Sequence, residues 1–343
     1  MHRSIHILHF LLPLCSLSYG NLAESELLLL ENEELVVGVK AELGGRIMLF
    51  RRVDGENVLH SDPADWSLTD EEIPKAENAP NLTEYHGHIV WVGPASKWWD
   101  DTDGNLFPPD KTFHPDPFLI YDRCEVLEHS ASRLVLQGNV SPLNDMRMRK
   151  VFEFGTRGQL NITVSVTNKR HRPVTWNIWS NTRFQPAGIS GFSVPAKGNL
   201  SYAFSAWRPY TERPLPYEIR NRVVSFSRPS GKDLENYSFY GKLSFSQYRP
   251  IIAVYKDNLF VKKVGAKSMS GKFPEEHSPL EIYQRYTTDA RGNLMELEMH
   301  SPEFTLAPGE SAEFSERWTL LQLPLEEQKW PFDKIVTESP HTQ

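Results

Sequence analysis

The sequence predicts an all-β sandwich, and three observations carry that expectation. Apolar and polar residues alternate with a period of two in many short stretches, turn dipeptides punctuate them, and helical three-to-four spacing is nowhere sustained over about twelve residues. In "LNITVSVTN", Leu160, Ile162, Val164 and Val166 alternate with polar neighbours, which sets one strand face on a core and the other in water. In chain order, "ELVVGVKAE", "IMLFRRV", "RLVLQGNV", "RKVFEFG", "IIAVYKD", "LFVKKVG" and "EFSERWTL" read the same way. The turn signals between them include Asp54-Gly55, Arg157-Gly158, Asp257-Asn258 and Pro308-Gly309.

The N-terminus "MHRSIHILHFLLPLCSLSYG" has the layout of a secretory signal over residues 1–20: Arg3, an apolar run from Ile7 to Leu14, then small Ser18 and Gly20. Its apolar run falls short of the ~20 residues that span a bilayer, and no later segment is long and apolar enough, so no transmembrane anchor is expected. The remainder, 21–343, reads as a single domain that is secreted or periplasmic, with no repeat or low-complexity linker. Cys124 is then the lone cysteine of the mature chain, so the core must carry the fold without a disulfide. A net charge of −7 with no basic cluster argues against a nucleic-acid partner. Sequons include those that begin at Asn81, Asn161, Asn199 and Asn236.

Two regions break the strand rhythm, 62–118 and 186–236, and long ordered loops of this kind usually bind or cover something. The stretch "EYHGHIVWVGPASKWWDDTDGN" gathers His86, His88, Trp91, Trp98 and Trp99 ahead of several aspartates. A calcium loop is poorly matched, because Gly104 stands too early in the Asp101-x-Asp103 run. His86 and His88 share a side if the segment is a strand, so a metal site completed from elsewhere stays open, although no metal and no cofactor is required. A sugar fits the composition better: indole rings pack on the C–H face of a pyranose while polar side chains bind its hydroxyls. The alternative is that these tryptophans are core residues.

In "PVTWNIWSNTRF", Asn177, Trp179 and Asn181 share one strand face with Arg183, a polar row beside an aromatic ring. Glu296 and Glu298 share a face of "LMELEMH", either as an acid/base pair or as two residues on a wet face.

Three pieces together resemble the galactose mutarotase-like (aldose 1-epimerase-like) superfamily, and within it secreted domains without a settled function. They are "ELGGRIMLFRRVDGENVL", "VTNKRHRPVTWNIWSNTRFQPAG" and "LMELEMHSPEFTLAPGESAEFSERWTL", in the order that fold uses, with "GHIVWVGP" added for the secreted group. The resemblance implies a galactose mutarotase-like supersandwich of large antiparallel sheets. It matches Glu298 to the general base that deprotonates the anomeric hydroxyl, and His86 or His88 to a sugar-binding histidine. Trp179 stands where the resemblance expects the histidine that protonates the ring oxygen, and indole transfers no proton at neutral pH. Either His88 or His86 supplies the acid, or the chain keeps the cleft without the chemistry. The expected ligand is a carbohydrate, with Trp91, Trp98, Trp99 and Trp179 as stacking surfaces and Arg46, Asn177, Asn181 and Arg183 orienting its polar groups. The expected activity is aldose anomer exchange, against a non-catalytic carbohydrate binder. A polysaccharide lyase or hydrolase is a third reading, and it needs an acid from 100–103 opposite Glu298.

Overall fold

The computed structural model describes residues 26–76, 85–98, 115–156, 158–204, 208, 210–265 and 270–324. Trp99, Asp101, Asp103, Asn81 and the expected leader lie outside them. The chain opens with β1 Leu28–Glu31, β2 Leu35–Lys40, β3 Arg46–Arg52, β4 His88–Gly93, β5 Glu125–His129, β6 Arg133–Val140 and β7 Met146–Phe154. Its middle runs through β8 Gln159–Asn168, β9 Val174–Phe184, β10 Ile189–Ser193, β11 Leu200–Ala203, β12 Glu212–Pro214, β13 Tyr217–Arg220 and β14 Val223–Phe226. It closes with β15 Ser238–Phe245, β16 Ile251–Tyr255, β17 Asn258–Val264, β18 Leu280–Tyr286, β19 Leu294–His300, β20 Phe304–Leu306 and β21 Ser311–Gln322. The alternating segments are strands as expected, while 186–236 holds five short strands, β10 to β14, where the sequence suggested loops.

The strands form two large, almost wholly antiparallel sheets, the supersandwich the sequence implies. The first is ordered β1-β2-β3-β4-β9-β19-β18-β15-β11, with β20 beside β9 and β12 beside β15; the second is β13-β14-β10-β16-β17-β21-β8-β7-β6-β5. Among the described residues helices are limited to single turns such as α1 Pro63–Trp66 and α2 Pro117–Ile120, each capped by an aspartate, Asp62 and Asp116, that accepts a backbone N–H. Among the described residues no helix is long and apolar enough to cross a membrane.

The inward rows of both sheets make the core. Trp318 of β21 meets Phe50 and Phe260 edge to face, each at 5.3 Å between ring centroids, and Phe260 stacks on Phe184 at 5.6 Å. Through this apolar layer passes the buried ammonium of Lys262. Lys262 of β17 donates to Ser180 Oγ at 3.0 Å, Thr182 Oγ1 at 2.9 Å and the Leu297 carbonyl at 3.0 Å, and pairs with Glu316 at 3.2 Å. It thus ties the second sheet to the undersides of β9 and β19. Burial pushes the Lys262 ammonium below its usual range, with the Glu316 charge opposing that shift.

The Gly44-Gly45-Arg46 turn has a steric cause. Gly44 sits at φ +64°, and a Cβ there would lie 2.3 Å from the Ile120 carbonyl oxygen, so the end of α2 closes against bare backbone.

Candidate functional site

The pleat of the first sheet sorts its residues into two rows. Ser180 and Thr182 point toward the second sheet, where Lys262 binds them, so Asn177, Trp179, Asn181 and Arg183 of β9 point the other way. Register carries this outer row across the neighbours: Asn181 lies opposite Glu298, Arg183 opposite Glu296, Trp179 opposite His300, and Glu298 in turn opposite Glu281 of β18. Lys242 of β15 joins the same face next to Tyr283. Six charged or imidazole side chains, Arg183, Lys242, Glu281, Glu296, Glu298 and His300, therefore meet from four strands.

At the centre is the Glu298 carboxylate, 2% exposed, which accepts from Asn181 Nδ2 at 3.1 Å and pairs with Lys242 Nζ at 2.9 Å. Lys242 also pairs with Glu281, whose other oxygen accepts the Ser278 N–H at 2.9 Å. One ammonium between two buried carboxylates cannot satisfy both equally. Burial raises the Glu298 carboxyl to about 8, helped by Glu296 and Glu281 and opposed by Lys242. Glu281 is held well below the usual carboxylate range: Lys242 and His300 outweigh its burial. The pair is thereby split into an ionised member and one that holds a proton near neutrality.

Two imidazoles flank Glu281. His300 Nε2 lies 3.4 Å and His277 Nδ1 3.8 Å from Glu281 Oε2, and the rings stack at 4.3 Å. Burial lowers His300 to about 4, against the raising influence of Glu281. Asn177 lies against the far edge of His300, with Nδ2 and Nδ1 3.4 Å apart. A Cβ on Gly93 would come within 2.7 Å of the Asn177 amide oxygen, so this β4 residue must stay small for Asn177 to fit. His277, Glu281 and His300 offer ligand atoms that all lie within 4.8 Å of one another, the set most able to hold a cation among the described residues.

The expected residues divide between this face and other places. Glu298, Asn177, Trp179, Asn181 and Arg183 come together on it. Trp91 and Trp98 reach it only as buried wall: their rings pack on Trp179 at 5.2 and 6.2 Å, and Trp98 Nε1 donates to the Val92 carbonyl at 2.6 Å. Trp179 is itself 3% exposed, enclosed further by His277 and His300. These three indoles shape the site without offering an open ring face.

His86 and His88 do not share a side. His86 takes φ +41° and Gly87 φ +71°, so the extended strand begins only at His88. His88 points into the intersheet core, with Nδ1 3.0 Å from Thr182 Oγ1 and its ring edge-on to Trp318 at 4.7 Å. The sheet stands between it and Glu298, and burial together with Lys262 pushes its imidazole far below the usual range. His86 lies at one end of the outer row, stacked on His60 at 3.8 Å and 3.3 Å from Arg183 Nη1, while Arg183 Nε binds Glu296 at 3.0 Å. Arg46 is fully buried beside it, donating to the His86 carbonyl at 2.7 Å with Nε and Nη2 unpartnered among the described residues.

The family described as a domain of unknown function, DUF4380, matches residues 26–321. The chain belongs to the DUF4380 family. No curated protein matches it. Among solved structures, this DUF4380 chain is similar to a galactose mutarotase-like protein from Clostridium acetobutylicum: TM-score 0.53, 11% identity, 86% of this chain and 95% of that one covered. A galactose mutarotase-like protein from Lactobacillus casei gives TM-score 0.51, 11% identity and coverage of 86% and 100%. An aldose epimerase homologue from C. elegans gives 0.50, 12%, 87% and 99%. At such identities the likeness establishes the galactose mutarotase-like fold and nothing finer.

Proposed function

We propose that this DUF4380 protein binds a carbohydrate on the outer face of its first sheet and that Glu298 exchanges a proton with the bound sugar, as in interconversion of aldose anomers. The observation that carries the reading is the placement of Glu298: a buried carboxylate gripped by Asn181 and Lys242, at the centre of a row of hydrogen-bonding side chains. Asn177, Asn181 and Arg183 are the groups suited to sugar hydroxyls. His88 has no part in this assignment, since it lies behind the sheet; His277 and His300 are the imidazoles on the Glu298 side. Export is part of the proposal and rests on the leader-like residues 1–20.

The test is anomer exchange followed by NMR over a panel of reducing sugars and uronic acids, with wild type and Glu298→Gln. Acceleration abolished by the substitution supports the reading, and no acceleration for any sugar removes it. A non-catalytic binder is the second reading, favoured by Trp179 at the expected acid position and by the internal pairing of Glu298 with Lys242. Retained sugar binding without exchange would select it.

A further inference from the structure

We propose that His277, Glu281 and His300 form a binding site for a divalent transition-metal ion of the zinc class. Their ligand atoms fall within 4.8 Å of one another, wider than the about 3.3 Å between ligands of a tetrahedral zinc ion, so modest side-chain shifts bring all three onto one ion. Two imidazoles and a carboxylate form a borderline nitrogen and oxygen set, which suits zinc, cobalt or ferrous iron better than calcium or magnesium.

A second observation points to a ligand. His300 Nε2 and His277 Nδ1 face only Glu281 Oε2, at 3.4 and 3.8 Å, and His277 Nε2 lacks a hydrogen-bond partner among the described residues, although the side chains are only 0% and 5% exposed. Buried polar atoms are nearly always satisfied, so an unpartnered imidazole nitrogen beside two more that crowd one carboxylate oxygen needs an explanation. The far edge of His300 faces Asn177, whose amide, turned so that its unpartnered Oδ1 accepts from Nδ1–H, would hold a ligating imidazole in orientation.

Two side chains must adjust when the ion enters. The imidazoles lie stacked with an interplanar angle of 21°, so one ring must turn its edge toward Glu281. His277 belongs to the loop before β18 and is in no strand, which leaves it free of the sheet's constraints. Lys242 must withdraw from Glu281, and its side chain, 27% exposed, already pairs with Glu298. The ion would sit beside Glu298 with coordination positions left for a hydroxyl or carbonyl oxygen, acting as the electrophile at a site where Trp179 supplies no acid.

The experiment is calorimetric titration of chelator-stripped full-length protein with zinc chloride, together with cobalt chloride followed by visible absorption. One ion per chain is expected, with a cobalt spectrum of low coordination number. His277→Ala, a loop substitution compatible with folding, should weaken binding by more than the roughly 10–100-fold typical of outer-sphere changes, and His300→Ala likewise; Glu296→Gln should leave it unchanged. Lack of stoichiometric binding by wild type, or equal affinity in wild type and His277→Ala, overturns the site. The readout is independent of turnover: zinc binding without anomer exchange sustains the metal site while removing the epimerase reading, and exchange by a chain that binds no zinc does the reverse.

Discussion

Replacing Lys262 with methionine tests how the second sheet supports the site. The ammonium is wholly buried, donates to Ser180, Thr182 and the Leu297 carbonyl, and faces Glu316, which is 3% exposed. Methionine preserves volume but strands the Glu316 carboxylate, leaving it only Trp318 Nε1 at 3.2 Å. Breaking one side of a buried ion pair costs about 3–5 kcal/mol, whereas replacing both members by apolar residues is often close to neutral. In urea, where a chain of this size has an m-value near ~3 kcal/mol/M, Lys262→Met should lower the midpoint by about 1 M or more. Lys262→Met/Glu316→Leu should recover much of that, with a coupling of about 2–3 kcal/mol in the double-mutant cycle. A single variant within about 0.5 kcal/mol of wild type, or a double variant no more stable than the single, refutes the reasoning.

Three further outcomes follow from the same geometry. Burial and the Arg183 charge depress His60 to about 4, while burial, His60 and Arg183 depress His86 to about 2, against an ordinary 6.5. Because the folded state resists their protonation, stability is full above about pH 6.5 and declines as pH falls toward 4; His60→Phe, which keeps the ring stack, should flatten that slope by about 1–3 kcal/mol after allowing for partial exposure, read by urea melts at pH 7.5 and 4.5. Gly44→Ala, meeting both a left-handed backbone and the Ile120 carbonyl, should cost about 2–4 kcal/mol in thermal unfolding, and a neutral result would contradict the close approach. Trp179→Ala should cost about 3–5 kcal/mol, because the indole is enclosed by Trp91, Trp98, His277 and His300; a loss below about 1 kcal/mol would mean that the ring lies open.

Much of the site was legible because strand alternation is local. The Asn177, Trp179, Asn181 row and the Glu296, Glu298 row follow from parity alone, and the pairing of β9 with β19 places them side by side. His300 has the same parity as Glu298 and could have been added by extending the row one step past Met299. Lys242 and Glu281 could not be found this way: parity gives a residue's face, but only the sheet order β19-β18-β15 says which strands are neighbours. His88 was misplaced for the opposite reason. The positive φ at His86 and Gly87 breaks the alternation before β4, so counting from one histidine to the other crossed a turn. The strands β10 to β14 were hidden by their brevity, three to five residues each, among prolines and serines.

The central claim is that Glu298 exchanges protons with a bound sugar, and saturation-transfer NMR of anomer exchange measures it directly. Wild type should give faster exchange for at least one aldose or uronic acid, and Glu298→Gln should lose that acceleration with sugar binding retained. Acceleration that survives in Glu298→Gln, or none with any sugar, contradicts it.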